Sequence, residues 1–358
     1  MLIGKEPDTM TTDILALTDE AALFLRKDKI IFANAAAKSI FGGDCVGKSA
    51  QALLGADISG TQASSFIAGV KLGGISRIAR VSHVDGGKVV FISKPETAPE
   101  ALNAPFLYAM RSGLMNIGLS ADMLRQWAEI HGQKELLSTI AGLTRSQYSL
   151  ARTAQNASTL LSAGDSGLDT EKHHINLSAM FSGLLEAVSH FAPGVGLRLH
   201  LGTDIAAPVA PAPMRQLVLN LISNALIHAQ GLTQISVRLS ETAGSVILSV
   251  SDNGCGIEPE KLPTVFDRYR HEFTLSDMGS GAGIGLSVCR KIAEDHGGTL
   301  LLESRAGLGT TVRVSISKTC PNISMRSPGF TPENVNQEVL IGLSNYLPNE
   351  CYCEKYMD

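Results

Sequence analysis

The order of three short polar and glycine-rich segments between residues 220 and 286 constrains this chain more than any other feature of its sequence. The first segment contains Asn220 and Asn224, which stand four residues apart and therefore project from one face of a helix. An amide oxygen on a rigid helix suits a Mg2+ ion that keeps phosphate and water among its ligands. Two asparagines on the polar face of a helix are also common, so this segment alone predicts little.

The second segment follows a strand-like apolar run and reads DNGCG from Asp252 to Gly256. An aspartate at the end of a strand can accept a hydrogen bond from an exocyclic amine, and glycines let the backbone approach a flat ring. The same letters also fit an ordinary Asp-Asn-Gly turn between two strands. Taken alone, this segment therefore favours the turn.

The third segment is a run of alternating glycines, GSGAGIG, from Gly279 to Gly285, which leads into a helix predicted for residues 284–296. Alternating glycines before a helix start present backbone N–H groups to phosphate. The run is not a Walker loop, because no Lys-Ser or Lys-Thr pair follows the glycines. It indicates an anion site of another type.

In this order and spacing, the three segments resemble the asparagine box and the two glycine boxes of the ATP-binding domain shared by histidine kinases, gyrase, Hsp90 and MutL. Between the glycine segments, residues 265–270 (VFDRYR) stand where histidine kinases carry a phenylalanine box. Residues 296–298 and 307–310 match the pattern after the last helix. The resemblance covers residues 170–318 and implies an α/β sandwich that binds ATP and Mg2+.

The resemblance implies a role for each matching position. Asp252 should hold the adenine amino group, Asn224 should bind Mg2+, and Asn220 should lie beside the metal. The first two glycines should line the base pocket, the later three should surround the phosphates, and the segment between Phe266 and Gly279 should form a mobile lid. The full set assigned to ATP binding is Asn220, Asn224, Asp252, Gly254, Gly256, Phe266, Arg268, Arg270, Gly281, Gly283, Gly285, Leu286 and Thr310.

Two positions near the first segment bear on the type of ATP-binding domain. Histidine kinases usually carry a lysine where this chain has Ile227, and the loss of that cation should weaken or slow turnover. The ATP-hydrolysing branch carries a glutamate as water-activating base where this chain has Asn220, and an amide cannot take a proton. The sequence therefore favours the kinase branch, with a gyrase- or MutL-type ATPase as an alternative.

Residues 105–163 carry two apolar stripes with three- and four-residue steps, which predict an antiparallel helical hairpin that turns at Gly132. One hairpin cannot cover both stripes, whereas two hairpins from two chains can do so as a four-helix bundle. The sequence thus predicts a homodimer, and the alternative is that the hairpin packs on a neighbouring domain. The stripes are Leu107, Met110, Leu114, Ile117, Ala121, Leu124 and Ala128, then Leu136, Ile140, Leu143, Gln147, Leu150, Ala154 and Ala157.

The first helix of this hairpin lacks the residues with which histidine kinases accept phosphate. In that family the helix carries a histidine, then an acidic residue, and then a proline after a threonine or asparagine. Here Tyr108 occupies the acceptor position, and no histidine occurs between Pro105 and Ile130. A phenol with a pKa of about 10 is a poor nucleophile without assistance. Ordinary autophosphorylation on histidine is therefore not expected; Tyr108 as acceptor and a helix kept only for dimerisation both stay open.

Residues 11–95 resemble a PAS sensor domain, on the pattern of a strand, Asn34, a short helix and Gly42. We expect a core without a cofactor, because neither a haem-binding histidine nor a flavin-adduct site is indicated. A proline-bearing linker follows, and residues 319–358 form an irregular tail. The expected fold class is α+β, with a PAS-like α/β domain, a helical hairpin at 105–163 and an α/β sandwich at 170–318.

Charge and hydropathy exclude several functions. The net charge of -4 argues against a general binder of nucleic acid or anionic membrane, since both need basic surface. No membrane span or signal peptide is indicated, so we expect a cytoplasmic protein. Together these features predict a sensor histidine kinase-like protein that binds Mg-ATP and works with a response regulator or other signalling protein. The alternative is a catalytically inactive pseudokinase scaffold whose ATP occupancy regulates a partner.

Overall fold

The computed structural model describes residues 15–16, 18, 20–54, 58, 65–72, 75–84, 87–92, 104–161, 171–258, 260, 284–319 and 335–353. The strands are β1 (Ala21–Arg26), β2 (Lys29–Ala33), β3 (Ser65–Leu72), β4 (Ile75–Val84), β5 (Gly87–Ile92), β6 (His173–Asn176), β7 (Gly196–Leu201), β8 (Ala206–Val209), β9 (Gln234–Glu241), β10 (Ser245–Asp252), β11 (Leu300–Arg305) and β12 (Gly309–Ser317). The helices are α1 (Ala35–Ile40), α2 (Ala50–Leu54), α3 (Ala104–Ile130), α4 (Lys134–Leu161), α5 (Leu177–Phe191), α6 (Pro211–His228), α7 (Gly285–Asp295) and α8 (Val335–Gly342).

The first five strands form an antiparallel sheet in the order β2-β1-β5-β4-β3, with α1 and α2 packed against it. Asn34 organises its start. The Asn34 Oδ1 accepts hydrogen bonds from the backbone N–H groups of Ala22 and Ala37, and its Nδ2 donates to three carbonyl groups before β1. A buried amide that satisfies five backbone contacts explains why the strand, the asparagine and the short helix occur together. The PAS interpretation of residues 11–95 stays a prediction.

The helices α3 and α4 form an antiparallel hairpin, and Gly132 lies in its turn with a φ of +64°. The two stripes meet at Ala121, Ala128 and Ile140, which are buried. Other stripe members, Ile117, Leu124, Leu143 and Leu150, are more than 40% exposed. A single chain thus buries only part of the two apolar stripes. Within the described residues, no helix combines the length and the apolar character that crossing a membrane would take.

The C-terminal region is an α/β sandwich in which α5, α6 and α7 bury their apolar faces in one core with β7 and β9–β12. Strands β9 and β10 form an antiparallel hairpin, and β7 pairs in parallel with β9. Asn176 caps the N-terminus of α5, because its Oδ1 accepts a hydrogen bond from the Ala179 N–H. The short strand β8 pairs with β6 and was not predicted, since its four residues include a proline and show no alternation. The expected α+β fold class is confirmed.

The N-terminal sheet and the sandwich sheet are continuous. Strand β3 pairs antiparallel with β11, which gives one ten-stranded sheet with the order β2-β1-β5-β4-β3-β11-β12-β10-β9-β7. Above this junction, a Cβ added to Gly69 would lie 2.7 Å from the Cδ of Arg290 on α7. The Arg290 Nε lies 3.7 Å from Glu294 Oε1, and both side chains are buried. We call β3, β11 and this ion pair the sheet seam; hydrophobic periodicity does not reveal such a pairing between distant strands.

Residues 335–353 connect α4 to the sandwich. Helix α8 packs on α4, α5 and α6, and a 3₁₀ turn at Asn349–Tyr352 packs on α4. The buried Tyr352 meets the Tyr148 ring edge-on, with 5.7 Å between centroids, and its hydroxyl donates to the Leu340 carbonyl at 2.9 Å. Arg215 on α6 donates two hydrogen bonds to the Glu338 carboxylate. This part of the tail therefore fixes α4 against the sandwich.

Candidate functional site

The first predicted segment lies on α6. Asn220 is only 2% exposed, and Asn224, one helical turn later, is half-buried. The first residue of α7 faces both amides, because a Cβ at Gly285 would lie 3.3 Å from Asn224 Oδ1 and 3.7 Å from Asn220 Cγ. The first N–H groups of a helix have no partner within that helix. The structure thus brings the first and third segments together and places the start of α7 beside the Asn224 amide.

The second segment begins at Asp252, the last residue of β10. The Asp252 Oδ1 accepts hydrogen bonds from the backbone N–H groups of Gly254 at 3.0 Å and Thr310 at 3.2 Å. Burial raises the pKa of Asp252, and these two amides oppose the rise. Among the described residues nothing donates a hydrogen bond to Asp252 Oδ2. That oxygen is therefore available to a ligand.

The loop after Asp252 packs on the C-terminal end of α6. A Cβ at Gly254 would lie 2.3 Å from the Ala229 Cβ, so a side chain cannot fit there. Gly256 has a φ of +66°, and a Cβ on it would meet the Arg305 carbonyl oxygen at 2.1 Å. Both glycines are thus required for the close approach of this loop. The loop, the Asn224 amide and the start of α7 lie around the C-terminal half of one helix.

Several predicted site residues fall outside the part of the chain that the structure describes. These residues are Phe266, Arg268, Arg270, Gly281 and Gly283. Tyr108 belongs to α3 by its backbone, but its side chain is also outside the described part. Leu286 packs against the core of the sandwich as the second residue of α7. The structure therefore assembles Asn220, Asn224, Asp252, Gly254, Gly256, Gly285, Leu286 and Thr310, and their roles stay predictions.

Asn220 belongs to a buried polar network that the sequence did not lead us to expect. Its Oδ1 accepts a hydrogen bond from Arg152 Nη2, and its Nδ2 donates to Asn156 Oδ1, each at 3.1 Å. The Asn156 Oδ1 also accepts from Gln216 Nε2 at 2.9 Å, and Thr159 Oγ1 donates to Gln216 Oε1 at 3.1 Å. We call these five residues the hairpin–α6 network. Its α4 members are four and three residues apart, a spacing that the sequence displays.

Arg152 brings a cation into this network. It is 8% exposed, and its Nε and Nη1 atoms make no hydrogen bond to any described residue. Burial lowers the pKa of Arg152 to about 10, so the guanidinium stays charged at neutral pH. Burial also raises the pKa of the Cys289 thiol on α7, and the nearby charge of Arg152 opposes that rise. Arg152 therefore lies between α6 and α7, in contact with Asn220.

His296 joins the start of α6 to the end of α7. Its Nε2 accepts a hydrogen bond from the Ala210 N–H at 3.0 Å, and its Nδ1 donates to the Ile292 carbonyl at 2.7 Å. Burial lowers the pKa of His296 to about 4, so the ring is neutral at pH 7. Both ring nitrogens are used, which gives this histidine a structural role.

Comparison with known proteins places these residues in context. Residues 210–319 match the family described as histidine kinase-, DNA gyrase B-, and HSP90-like ATPase. Sensor protein SrrB of Staphylococcus aureus is 37% identical over 106 residues, which cover 29% of this chain and 18% of SrrB. The chain therefore spans less than a fifth of the curated relatives it matches. All the described site residues lie within the family match, whereas Arg152 lies before it.

The solved structures to which this chain is similar include several histidine kinases. The catalytic domain of histidine kinase ThkA is 26% identical and covers 42% of this chain and 97% of that domain, with a TM-score of 0.35. The ATP-binding domain of PrrB from Mycobacterium tuberculosis is 21% identical and covers 42% of this chain and 99% of its own, also with a TM-score of 0.35. A structure of ThkA in complex with response regulator protein TrrA is 19% identical, covers 86% of this chain and 98% of that chain, and has a TM-score of 0.39.

Proposed function

We propose that this chain, which is related to the sensor histidine kinases and carries an ATPase domain of the histidine kinase, gyrase and Hsp90 type, binds Mg-ATP beside α6 and acts in two-component signalling. The observation that supports this best is the contact between Asn224 and the start of α7 at Gly285. This contact places the Asn224 amide oxygen close to the first N–H groups of α7. A magnesium-bound polyphosphate requires these two groups.

Each described group has a part in this proposal. The Asp252 Oδ2, to which no described residue donates a hydrogen bond, accepts one from the adenine amino group. The N–H groups in the first turn of α7 bind phosphate oxygens, helped by the positive end of the helix dipole. Asn224 Oδ1 would hold Mg2+, because a neutral oxygen donor suits an ion whose other ligands are phosphate and water. Mg2+ would neutralise part of the phosphate charge.

The amide side chain at position 220 supports the kinase branch over a gyrase- or MutL-type ATPase. Its amide is held by Arg152 and Asn156 and has no basic atom that could activate water. Fast steady-state hydrolysis would therefore need a base from elsewhere. We infer that nucleotide binding serves phosphotransfer or signalling in this chain.

A pseudokinase is the second candidate, and two observations favour it. Tyr108 stands at the acceptor position, and α4 is held on the sandwich by both the hairpin–α6 network and the tail. In this candidate, ATP occupancy changes how the hairpin packs, and a response regulator or another signalling protein reads the change. The two candidates differ only in whether phosphate leaves the nucleotide.

The hairpin is proposed as a homodimer interface in either case. Of the seven large apolar side chains that are exposed on the described part of its first helix, five form a stripe with steps of three and four residues, and the largest exposed fraction is 81%, at Ile130. Such a stripe on one helix is costly to leave in water and suits a second copy in a four-helix bundle. The stripe consists of Met115, Leu119, Met123, Trp127 and Ile130, and the other two exposed residues are Ile117 and Leu124.

Binding should be measured first, by calorimetry with ATP in the presence and absence of Mg2+. Asp252→Asn keeps the shape of the side chain but removes the charged acceptor, so we expect at least about tenfold weaker binding. Asp204→Asn is the matched control, because Asp204 lies in an exposed turn and bonds Asn176. Equal affinity of the wild type and Asp252→Asn would refute the site.

Labelling with γ-32P-ATP then separates the two candidates. Label that resists acid, with Tyr108→Phe abolishing it, would show transfer to the phenol. Label that acid removes would show a phosphohistidine elsewhere. Clear ATP binding without label in the protein or in released phosphate would support the pseudokinase, and rapid release of phosphate would support the ATPase alternative.

A further inference from the structure

Among the described residues, no carboxylate pairs with the charged side chain of Arg152. The ion pairs formed within the described ranges do not include Arg152, and its one hydrogen bond goes to the neutral Asn220 amide. The other buried arginine of this layer, Arg290, has Glu294 at 3.7 Å. A buried charge without a partner is strongly unfavourable. An anion is therefore the group that this position lacks.

The position of Arg152 points to which anion fills it. Asn220 lies one helical turn before Asn224 on α6, and Asn220 Cγ is 3.7 Å from where a Gly285 Cβ would be. One helical turn is about 5.4 Å, which is within the reach of a rotating arginine side chain. The guanidinium can thus move from Asn220 to the level of Asn224 and the start of α7, where the proposed phosphates lie.

The hairpin–α6 network can release Arg152 without leaving a polar atom of Asn220 unpaired. When the guanidinium moves, Asn220 Oδ1 keeps a contact from Asn156 Nδ2, which is 3.5 Å away. The Asn220 Nδ2 keeps its hydrogen bond to Asn156 Oδ1. Asn220 therefore binds the Arg152 guanidinium when no phosphate is present. The other hydrogen bonds of the network stay in place when Arg152 leaves.

From this geometry we infer that Arg152, on the hairpin helix α4, binds the polyphosphate of the nucleotide. The inference rests on the proposed function and extends it, because the phosphate site is then completed by a residue outside the ATPase-type domain. A guanidinium can bond two phosphate oxygens at once. Nucleotide with phosphates would thereby hold α4 on α6, whereas adenosine alone would not.

The test compares Arg152→Gln with Arg145→Gln. Arg145 lies two turns earlier on α4 and donates to the Ser344 carbonyl, so its loss removes the same charge away from α6. We expect Arg152→Gln to weaken ATP binding about tenfold or more and to leave adenosine binding unchanged. Arg145→Gln should leave both affinities unchanged. Arg152→Lys should recover part of the ATP affinity, since it keeps the charge but not the paired donors.

A second readout needs no adenine site. Tripolyphosphate should raise the Tm of the wild type and of Arg145→Gln but not that of Arg152→Gln. Arg152→Met should not lower the Tm of the ligand-free protein, because it removes an uncompensated buried charge. If ATP binds the wild type and Arg152→Gln equally, the inference fails and the proposed function stands. If neither ATP nor adenosine binds the wild type, the proposed function fails, and the tripolyphosphate shift alone then decides whether Arg152 is an anion site.

Discussion

Two of the contacts that the sandwich makes with other described parts of the chain depend on different kinds of interaction. At the sheet seam, β3 continues the sheet through backbone hydrogen bonds, and the arginine above it has a carboxylate partner. At the hairpin–α6 network, the contacts are side-chain hydrogen bonds, and Arg152 has no carboxylate partner in the part of the chain that the structure describes. Backbone pairing depends little on side-chain identity, whereas a buried side-chain network depends on every member. We therefore expect the seam to stay closed, whereas the proposed role of Arg152 requires the network to release one of its members.

The largest expected effect is at the ion pair of the seam. Glu294→Gln removes the carboxylate that lies 3.7 Å from the buried Arg290 guanidinium and should lower the free energy of unfolding by about 4 kcal/mol. Urea denaturation measures this change. A double variant, Arg290→Met with Glu294→Met, should lose much less, because no charge is then buried. Equal losses in the single and double variants would show that Glu294 does not offset the cost of burying the Arg290 charge.

A smaller effect is expected in the hairpin–α6 network. Asn156→Ala removes the acceptor shared by Gln216 and Asn220, which leaves two buried donors without a partner. We expect a loss of about 2 kcal/mol in the free energy of unfolding, measured by thermal or urea denaturation. Asn116→Ala on α3, where Asn116 is exposed, provides the control. A loss no greater than that of the control would contradict the network as a buried contact.

The smallest expected effect is steric. Gly69→Ala places a Cβ 2.7 Å from the Arg290 Cδ, so the arginine stem must shift and we expect a loss of about 1 kcal/mol. Gly113→Ala is the matched control, because a Cβ there meets nothing within 4 Å and the residue lies inside α3. That control should gain up to about 1 kcal/mol, since alanine favours a helix. Changes of opposite sign in the melting temperatures of the two variants would support the close packing of Gly69 against Arg290. Changes of the same sign would contradict it.

Local chemistry made much of the sandwich predictable. Asn176 before an apolar run indicates a helix start, and the structure has Asn176 as the cap of α5. Asp252 was expected at a strand end because it follows an alternating run, and it is the last residue of β10. The contact between Asn224 and Gly285 joins two segments that the sequence separates by a long glycine-rich stretch, so it was reached by resemblance. Periodicity alone would not have predicted it.

The hairpin–α6 network and the sheet seam could not be predicted from the sequence, for a physical reason. The spacing of Arg152, Asn156 and Thr159 shows that they share a face of α4, but it does not show what covers that face. The stripes of α3 and α4 raise the same question: Ile140 is buried within the chain, whereas Leu143, three residues later, is exposed. Pairing of β3 with β11 depends on which edges meet, and the residues of an edge strand do not encode a partner far along the chain.

The continuity of the sheet has a cost that appears only when it is broken. In the described residues, the ten-stranded sheet has two margins, β2 and β7. Parting the seam would bare two more, β3 and β11, each with a row of unpaired N–H and C=O groups that invites strands from other polypeptides. Any condition or variant that separates the two halves would therefore be expected to lower solubility before it lowers activity.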